Sequence, residues 1–300
     1  MNVVQGNAVV AGYKDGTIWM WLAHNGQCVQ VFAGHDGEVT CGLFTSDGKT
    51  IASGGEDGSV RLWAPKTGQC KHVFSNTGAG GATVMEGHDN IVTCIAGNDE
   101  GDLVVSGGMD GQVRLFLVPK KKMLQKFTHS LPTKSADMPP PPPTGDENSA
   151  NFDPSDDVQE EQEMLVQGVE CVGISSKDWK YVASGGMDKT LKIWDITTGT
   201  CRCVCQHEDS VVALKWHASL PVVVTACLDK VVRIWDARSG VCVKELTGHR
   251  DIVTNLDFRQ QPVVSDDNGE KTTAVGDVIV SVSDDGTAKV FQVNLQSLLV

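Results

Sequence analysis

The sequence predicts an all-β propeller of about six four-stranded units. Three observations predict it. Six Asp-centred segments recur along the 300 residues, each with an aromatic residue six positions on. The stretches between them are short β-branched runs separated by turn dipeptides. With residues 129–164 and 262–276 set aside, 249 residues remain, or about 42 per unit, the length of a propeller blade repeat.

The six segments are YKDGTIWMW, GEDGSVRLW, GMDGQVRLF, GMDKTLKIW, CLDKVVRIW and SDDGTAKVF. Their aspartates are Asp15, Asp57, Asp110, Asp188, Asp229 and Asp285, and the aromatics are Trp21, Trp63, Phe116, Trp194, Trp235 and Phe291. The run before each aspartate, such as TIASGG or YVASGG, reads as a strand. The Asp-Gly or Asp-Lys pair is a hairpin turn, and the run after it, such as SVRLW, is the partner strand. KTGQCKHVF, TTGTCRCVC and RSGVCVKEL then supply a turn and a fourth strand. Repetition of such units gives a propeller. Residues 1–128 hold three units, the first opening at Ala8-Val9-Val10 without an inner strand. Residues 165–300 hold three more, the last interrupted at 262–276. The ring is therefore expected to be incomplete.

Each unit also carries a polar set. Ser53, Ser106, Ser184, Thr225 and Ser281 stand four residues before their aspartates. His35, His88 and His207 stand 22 before theirs, and His249 serves Asp285 across a longer gap. A buried aspartate needs donors. The His ring supplies one, the hydroxyl donates to the ring, and the Trp indole donates to the hydroxyl, a network that would pin the blade. The second and fifth units hold all four members, the fourth has no such histidine, and the first has Ala11 in place of the hydroxyl. A Ser-His-Asp set resembles a catalytic triad, but an active site is not needed four times over.

The chain carries 38 acids against 25 bases, net −13, which argues against binding nucleic acid through its backbone and favours a basic partner. No 18-residue apolar stretch suits a membrane. Ten cysteines without a secretory leader suit a reducing compartment, the cytoplasm and also the nucleus. Cys201, Cys203 and Cys205 with His207 suggest a metal, but strand spacing keeps the sulfurs too far apart, and no metal site or cofactor is expected. Cys28, Cys70, Cys201 and Cys242 each lie seven residues after a blade aromatic and, with Cys41, Cys94 and Cys171, are expected to be small buried packing groups. Trp19, Trp179 and Trp216 are likewise expected in the blade core. Residues 129–164 hold Pro139 to Pro143 and nine acids against Lys134. They read as a disordered acidic insert, and the proline run also suits a polyproline-binding domain. No phosphate loop, paired catalytic carboxylates or isolated nucleophile is present, so no enzyme is expected.

GHDGEVTCGLF and GSVRLW resemble WD40 repeats. DGTIWMW, CQHEDSVVALKW, LDKVVRIWDARSG and DDGTAKVF, in this order and with the acidic insert, resemble the angio-associated migratory cell protein family. The resemblance implies a propeller with two further repeats upstream, so that this chain would be an N-terminally shortened form. Fungal members of the family act as chaperones of a large-subunit ribosomal protein, so it also implies a basic ribosomal partner.

The residues beside the loop histidines and turn aspartates should share one rim. They include Asp36, Glu38, Glu56, Asp89, Glu208, Asp209, Asp251 and Asp284, with Met109, Met187 and Leu228 as apolar anchors inside the ring. An acidic rim around an apolar centre suits a basic peptide. A second reading rests on Trp235, Asp236 and Arg238. These resemble the box by which some WD40 proteins dock on the adaptor of cullin-RING ubiquitin ligases, which would make the chain a substrate receptor. A scaffold in cell-migration signalling is a third reading, suggested by the family's name.

Overall fold

In a computed structural model, residues 2–5, 7–76, 85–130, 167–176, 180–259, 276–295 and 297 are described. They form strands and turns, with one short 3-10 turn at Ser297. Blade one holds β1 (Asn2–Gln5), β2 (Ala8–Gly12), β3 (Thr17–Leu22) and β4 (Cys28–Ala33). Blade two holds β5 (Val39–Phe44), β6 (Ile51–Gly55), β7 (Val60–Trp63) and β8 (Cys70–Phe74). Blade three holds β9 (Val92–Gly97), β10 (Leu103–Gly108), β11 (Gln112–Leu117) and β12 (Lys122–Thr128). Blade four holds β13 (Val169–Ile174), β14 (Tyr181–Gly186), β15 (Thr190–Asp195) and β16 (Cys201–Gln206). Blade five holds β17 (Val211–Trp216), β18 (Val222–Cys227), β19 (Val232–Asp236) and β20 (Val241–Leu246). Blade six has three described strands, β21 (Val253–Arg259), β22 (Asp277–Ser283) and β23 (Ala288–Val293).

Every sheet is an antiparallel meander of strands in chain order. The inner strands β1, β5, β9, β13, β17 and β21 pack each against the next. Among the described residues there is no comparable packing between β21 and β1 and no closed ring. The first strand is a correction to the sequence reading. Asn2–Gln5 pairs with Ala8–Ala11 and completes blade one. The four-residue run NVVQ has no anchor residue before it to announce a unit.

The faces between blades are the core. The aromatic of each third strand meets the fourth strand of the blade before it. Trp63 lies 5.8 Å from Phe32, Phe116 lies 4.3 Å from Phe74, and Trp194 lies 5.3 Å from Phe127. Cys205 and Leu246 occupy the same place beneath Trp235 and Phe291. Trp21 has no such partner. It stacks on Trp19 at 6.2 Å and lies beside Tyr13, and both of these are more than one-third exposed. Trp19 is thus not in the core as expected. Trp216 is half-buried at the end of β17, and Trp179 lies outside the described residues.

The cysteines divide in two. Cys171 is buried and Cys41 and Cys94 are half-buried on the inner strands. Cys28, Cys70 and Cys201 are exposed, contrary to expectation, because they begin outer strands. There each thiol donates to the carbonyl two residues on within its own strand.

Residues 131–166, which hold nearly all of the acidic insert, and 260–275 lie outside the described residues. The described chain on either side of the first gap is tied together, since the Ser130 hydroxyl donates to the Gln167 carbonyl. Replacing 131–166 by a short Gly/Ser linker should therefore leave the melting temperature nearly unchanged, because closure entropy varies slowly with loop length. Limited proteolysis should cut this segment first and leave two associated fragments. A large destabilisation on shortening, or first cleavage elsewhere, would refute the reading of 129–164 as a tolerant insert.

Candidate functional site

The turn aspartates and loop histidines meet at one end of the blades, and their geometry fixes that rim. In blade two the Trp63 indole donates to Ser53 Oγ at 2.8 Å. Ser53 Oγ lies 2.7 Å from His35 Nε2, and His35 Nδ1 lies 3.1 Å from Asp57. The indole has only a proton to give, so the hydroxyl must donate onward to Nε2 and Nδ1–H must donate to the carboxylate. Asp57 also accepts from the Asp36 N–H, Ser59 and Arg61. Burial raises its carboxyl, but the hydrogen bonds from His35 and the Asp36 N–H outweigh that and hold it well below the usual carboxylate range.

Blade three repeats this without the indole. His88 lies 2.7 Å from Ser106 and 2.9 Å from Asp110, and the fully buried Arg114 reaches both His88 and Asp110. Burial pushes the His88 ring down from its ordinary value despite the carboxylate. Blade six joins His249 to Ser281 at 2.8 Å and to Asp285 at 3.0 Å.

Blades four and five depart from the sequence reading. Blade four does have its histidine. His129 Nδ1 lies 2.7 Å from Ser184, and Nε2 lies 3.0 Å from Asp188, with the Trp194 indole donating to Ser184 at 2.8 Å. The ring is turned over relative to His35, so the opposite nitrogen carries the proton. His129 stands 59 residues before its aspartate because the acidic insert separates the loop from its blade. The sequence reading puts His129 at the first residue of that insert, whereas in the structure it belongs to the propeller.

Blade five has all four residues but an open network. His207 Nε2 lies 2.9 Å from Thr225, which accepts from Trp235, yet His207 Nδ1 has no partner and Asp229 is held instead by Arg233. Cys227 is the cause. The same position is Gly55, Gly108 and Gly186 in blades two to four, where a Cβ would come within 2.5–2.8 Å of the histidine ring. Cys227 sets its side chain there, donating to the Asp209 carbonyl and accepting from the Asp229 N–H. The smaller Ser283 at this position in blade six leaves His249 and Asp285 in contact. Burial and then Arg233 push the His207 ring down to about 4.

Beside this network lie the residues expected to face a partner. Glu56, Met109, Met187, Leu228 and Asp284 each direct a backbone N–H to the loop carbonyls of Glu38, Ile91, Gly168, Ser210 and Ile252, at 2.9–3.1 Å. One repeated bond therefore sets them around a common collar, with the apolar members on blades three to five and acids on either side. Asp36, Glu56, Asp89, Glu208, Asp251, Asp284 and Met187 are exposed, while Glu38, Asp209, Met109 and Leu228 are half-buried. Away from this rim, Trp235 and Asp236 are buried. Arg238 is half-exposed and clasps Asp236 through two nitrogens at 3.0 Å.

The family model described as "WD domain, G-beta repeat" matches residues 26–64, 82–116, 167–195, 199–236 and 240–292. The chain belongs to the WD40 repeat family. As a WD40 protein it is a protein-interaction scaffold. It is 34% identical to angio-associated migratory cell protein from Homo sapiens and from Canis lupus familiaris, over 94% of this chain and 55% of each relative. The chain thus spans about half the length of those relatives. A "Ribosome biogenesis protein BOP1 homolog" from Drosophila ananassae is 38% identical over 60 residues, 19% of this chain and 7% of that protein. Among solved structures, the WD40 chain is similar to the computationally designed Ika8 protein, with a TM-score of 0.67 and 25% identity. The match covers 97% of this chain and 70% of the design.

Two outcomes follow from the networks. Asp57→Ala leaves a buried histidine without its acceptor and should cost on the order of 1–3 kcal/mol. Asp15→Ala should cost less, since among the described residues its carboxylate accepts from the neighbouring Thr17 at an exposed turn. Equal losses of melting temperature would contradict this assignment. Because the His207 pKa is depressed by folding, its contribution is fully present above the ordinary value of 6.5. It is lost as pH falls through the window towards about 4. Cys227→Gly should let Nδ1–H reach Asp229 and raise that pKa, as read from the His207 imidazole by NMR. An unchanged titration would remove Cys227 as the cause.

Proposed function

We propose that this propeller is a non-enzymatic binding protein whose acidic rim captures a basic segment of a large-subunit ribosomal protein before assembly, in the cytoplasm or nucleus. The observation that carries the reading is the collar itself, five side chains fixed by one repeated backbone bond, apolar in the middle and acidic at both ends. Aliphatic groups at its centre offer contact area, and the acids around them steer a cationic chain. The family resemblance supports the ribosomal client, and the short match to a protein named for ribosome biogenesis points the same way. The adaptor-docking alternative would rest on Arg238 alone, since Trp235 and Asp236 are buried.

Reversing Glu56 and Asp209 to Lys removes two rim charges that each accept a single backbone N–H, from Glu38 across the loop and from the neighbouring Ser210. The variant should fold, with a melting temperature close to that of the parent, and bind basic ribosomal-protein peptides far more weakly. Reversing Glu160 and Glu161 should have much less effect. Binding should also fall steeply as salt rises, since at about 0.15 M the Debye length is about 8 Å. Salt-independent affinity, or full binding by the double reversal, would sink the rim reading. Recovery of a ligase adaptor that is lost on Arg238→Ala would favour the alternative.

A further inference from the structure

The rim lies where the inner strands begin. Their opposite ends, in blades two to five, converge on a separate cavity of about 460 Å³. Its wall is apolar, formed by Phe44, Ile95, Val172, Ile174 and Leu214 with the indole of Trp216. Small residues open the space. Large rings end β5 and β17, at Phe44 and Trp216, but β9 ends in Ala96-Gly97 and β13 carries Gly173 one place before its end. Gly173 is needed there. A Cβ would come within 2.7 Å of Leu214 Cδ1, 2.9 Å of Trp216 Cδ1 and 3.3 Å of Trp216 Nε1. The Cδ1–Nε1 edge of the indole thus lies on the inner strand of blade four. Tyr181, on the next strand out, stands 6.4 Å away between ring centres. Inner strands line the channel, so the indole N–H is turned towards the cavity.

The polar groups of this wall differ in their partners. Ser46 donates to the Asn98 carbonyl, and His217 Nδ1 accepts from the Ser219 and Leu220 N–H groups. The Trp216 indole nitrogen and the Ser176 hydroxyl are buried and meet no partner among the described residues. An indole can only donate, and a buried donor gains when an acceptor reaches it. Lys215 and Asp99 also line the cavity, one charge of each sign, so net charge does not select the occupant. An apolar wall of this volume with a donor turned inward has the form of a ligand site. It fits a group with an apolar body and a carbonyl, and a single peptide residue offers both. We propose that this end of the propeller docks an apolar residue of an extended partner peptide. Its side chain would lie among Ile95, Val172 and Leu214, and its backbone carbonyl would accept from the Trp216 indole. The site stands at the opposite end from the rim and is independent of the rim reading, so the scaffold could hold two partners at once.

Two small probes test this on the full chain. N-acetylleucinamide carries the side chain and the carbonyl, and N-acetylglycinamide carries the carbonyl alone. The first should move the Trp216 Nε1–H resonance downfield, a signal identified by its loss in Trp216→Phe, and the second should leave it in place. Trp216→Phe keeps an apolar ring without the donor, so it should fold with a melting temperature close to that of the parent. Read from the Ile95 and Leu214 methyl resonances, it should bind N-acetylleucinamide about fivefold more weakly. Gly97→Val offers a second variant, because a Cβ at Gly97 meets only ordinary contacts, at 3.4 Å and beyond. It should fold, narrow the cavity and weaken the response as well. No shift at Trp216 in the parent, equal shifts with both probes, or unchanged affinity in both variants would overturn the proposal. The Glu56 and Asp209 double reversal should leave the N-acetylleucinamide response intact even if it abolishes binding of basic peptides. Loss of the response there would show that the two sites are not independent, and would overturn that part of the proposal.

Discussion

A four-stranded blade of this chain cannot bury its own faces, and the rest of the structure depends on that constraint. Strands such as VVVTAC in blade five and YVASGG in blade four are buried along their whole length, so both sides of each sheet need cover. One residue type at one place supplies it: the aromatic of a third strand lying on the fourth strand of the preceding blade. In blade one, where no preceding blade is packed among the described residues, Trp21 stacks on Trp19 with Tyr13 edge-on beside them, and the group remains partly open. The polar networks are subordinate to this packing. They lie at the rim, where strands end and loops turn, and they convert a stack of sheets into loops with fixed positions.

That hierarchy explains what the sequence disclosed. Period, turn dipeptides and the aromatic six residues after each aspartate are local signals, and they located the hairpins of all six blades. Contacts that depend on chain far away were harder to read. His129 is hidden from a spacing rule because the expected interval of 22 is 59 here, although the residue sits two places after the last apolar position of a fourth strand, as His207 does. In blade five His207, Thr225, Asp229 and Trp235 all stand at their proper intervals. Spacing cannot report that a thiol fills the space a glycine leaves in other blades. The exposed Cys28, Cys70 and Cys201 show the converse, since a repeated position is not thereby a buried one.

The rim's chemistry follows from the same division of labour. Network residues are buried and paired, so their charges are spent inside the blade, and Asp57, Asp110 and Asp188 all stay ionised because donors converge on them. The residues immediately before them have few internal duties, one backbone bond each and, for Glu56, a carboxylate oxygen that accepts from the Glu38 N–H. Evolution of a binding surface can therefore alter Glu56, Met109, Met187, Leu228 and Asp284 without disturbing the fold, and in this chain those five positions hold two acids and three apolar side chains.

Blade five shows where the two roles meet. Its aspartate is tied to Arg233 and its histidine is bonded only to Thr225, so the loop bearing Glu208 and Asp209 lacks the ring-to-carboxylate link that joins loop to turn in blades two, three, four and six. Cys227 replaces that link with a single thiol bond to the Asp209 carbonyl. The collar position beside it is Leu228, and the rim acid above it is Asp209. The rim is therefore held by fewer bonds at the point where an apolar anchor and an acid stand together, and adjustment to a bound chain would cost least there.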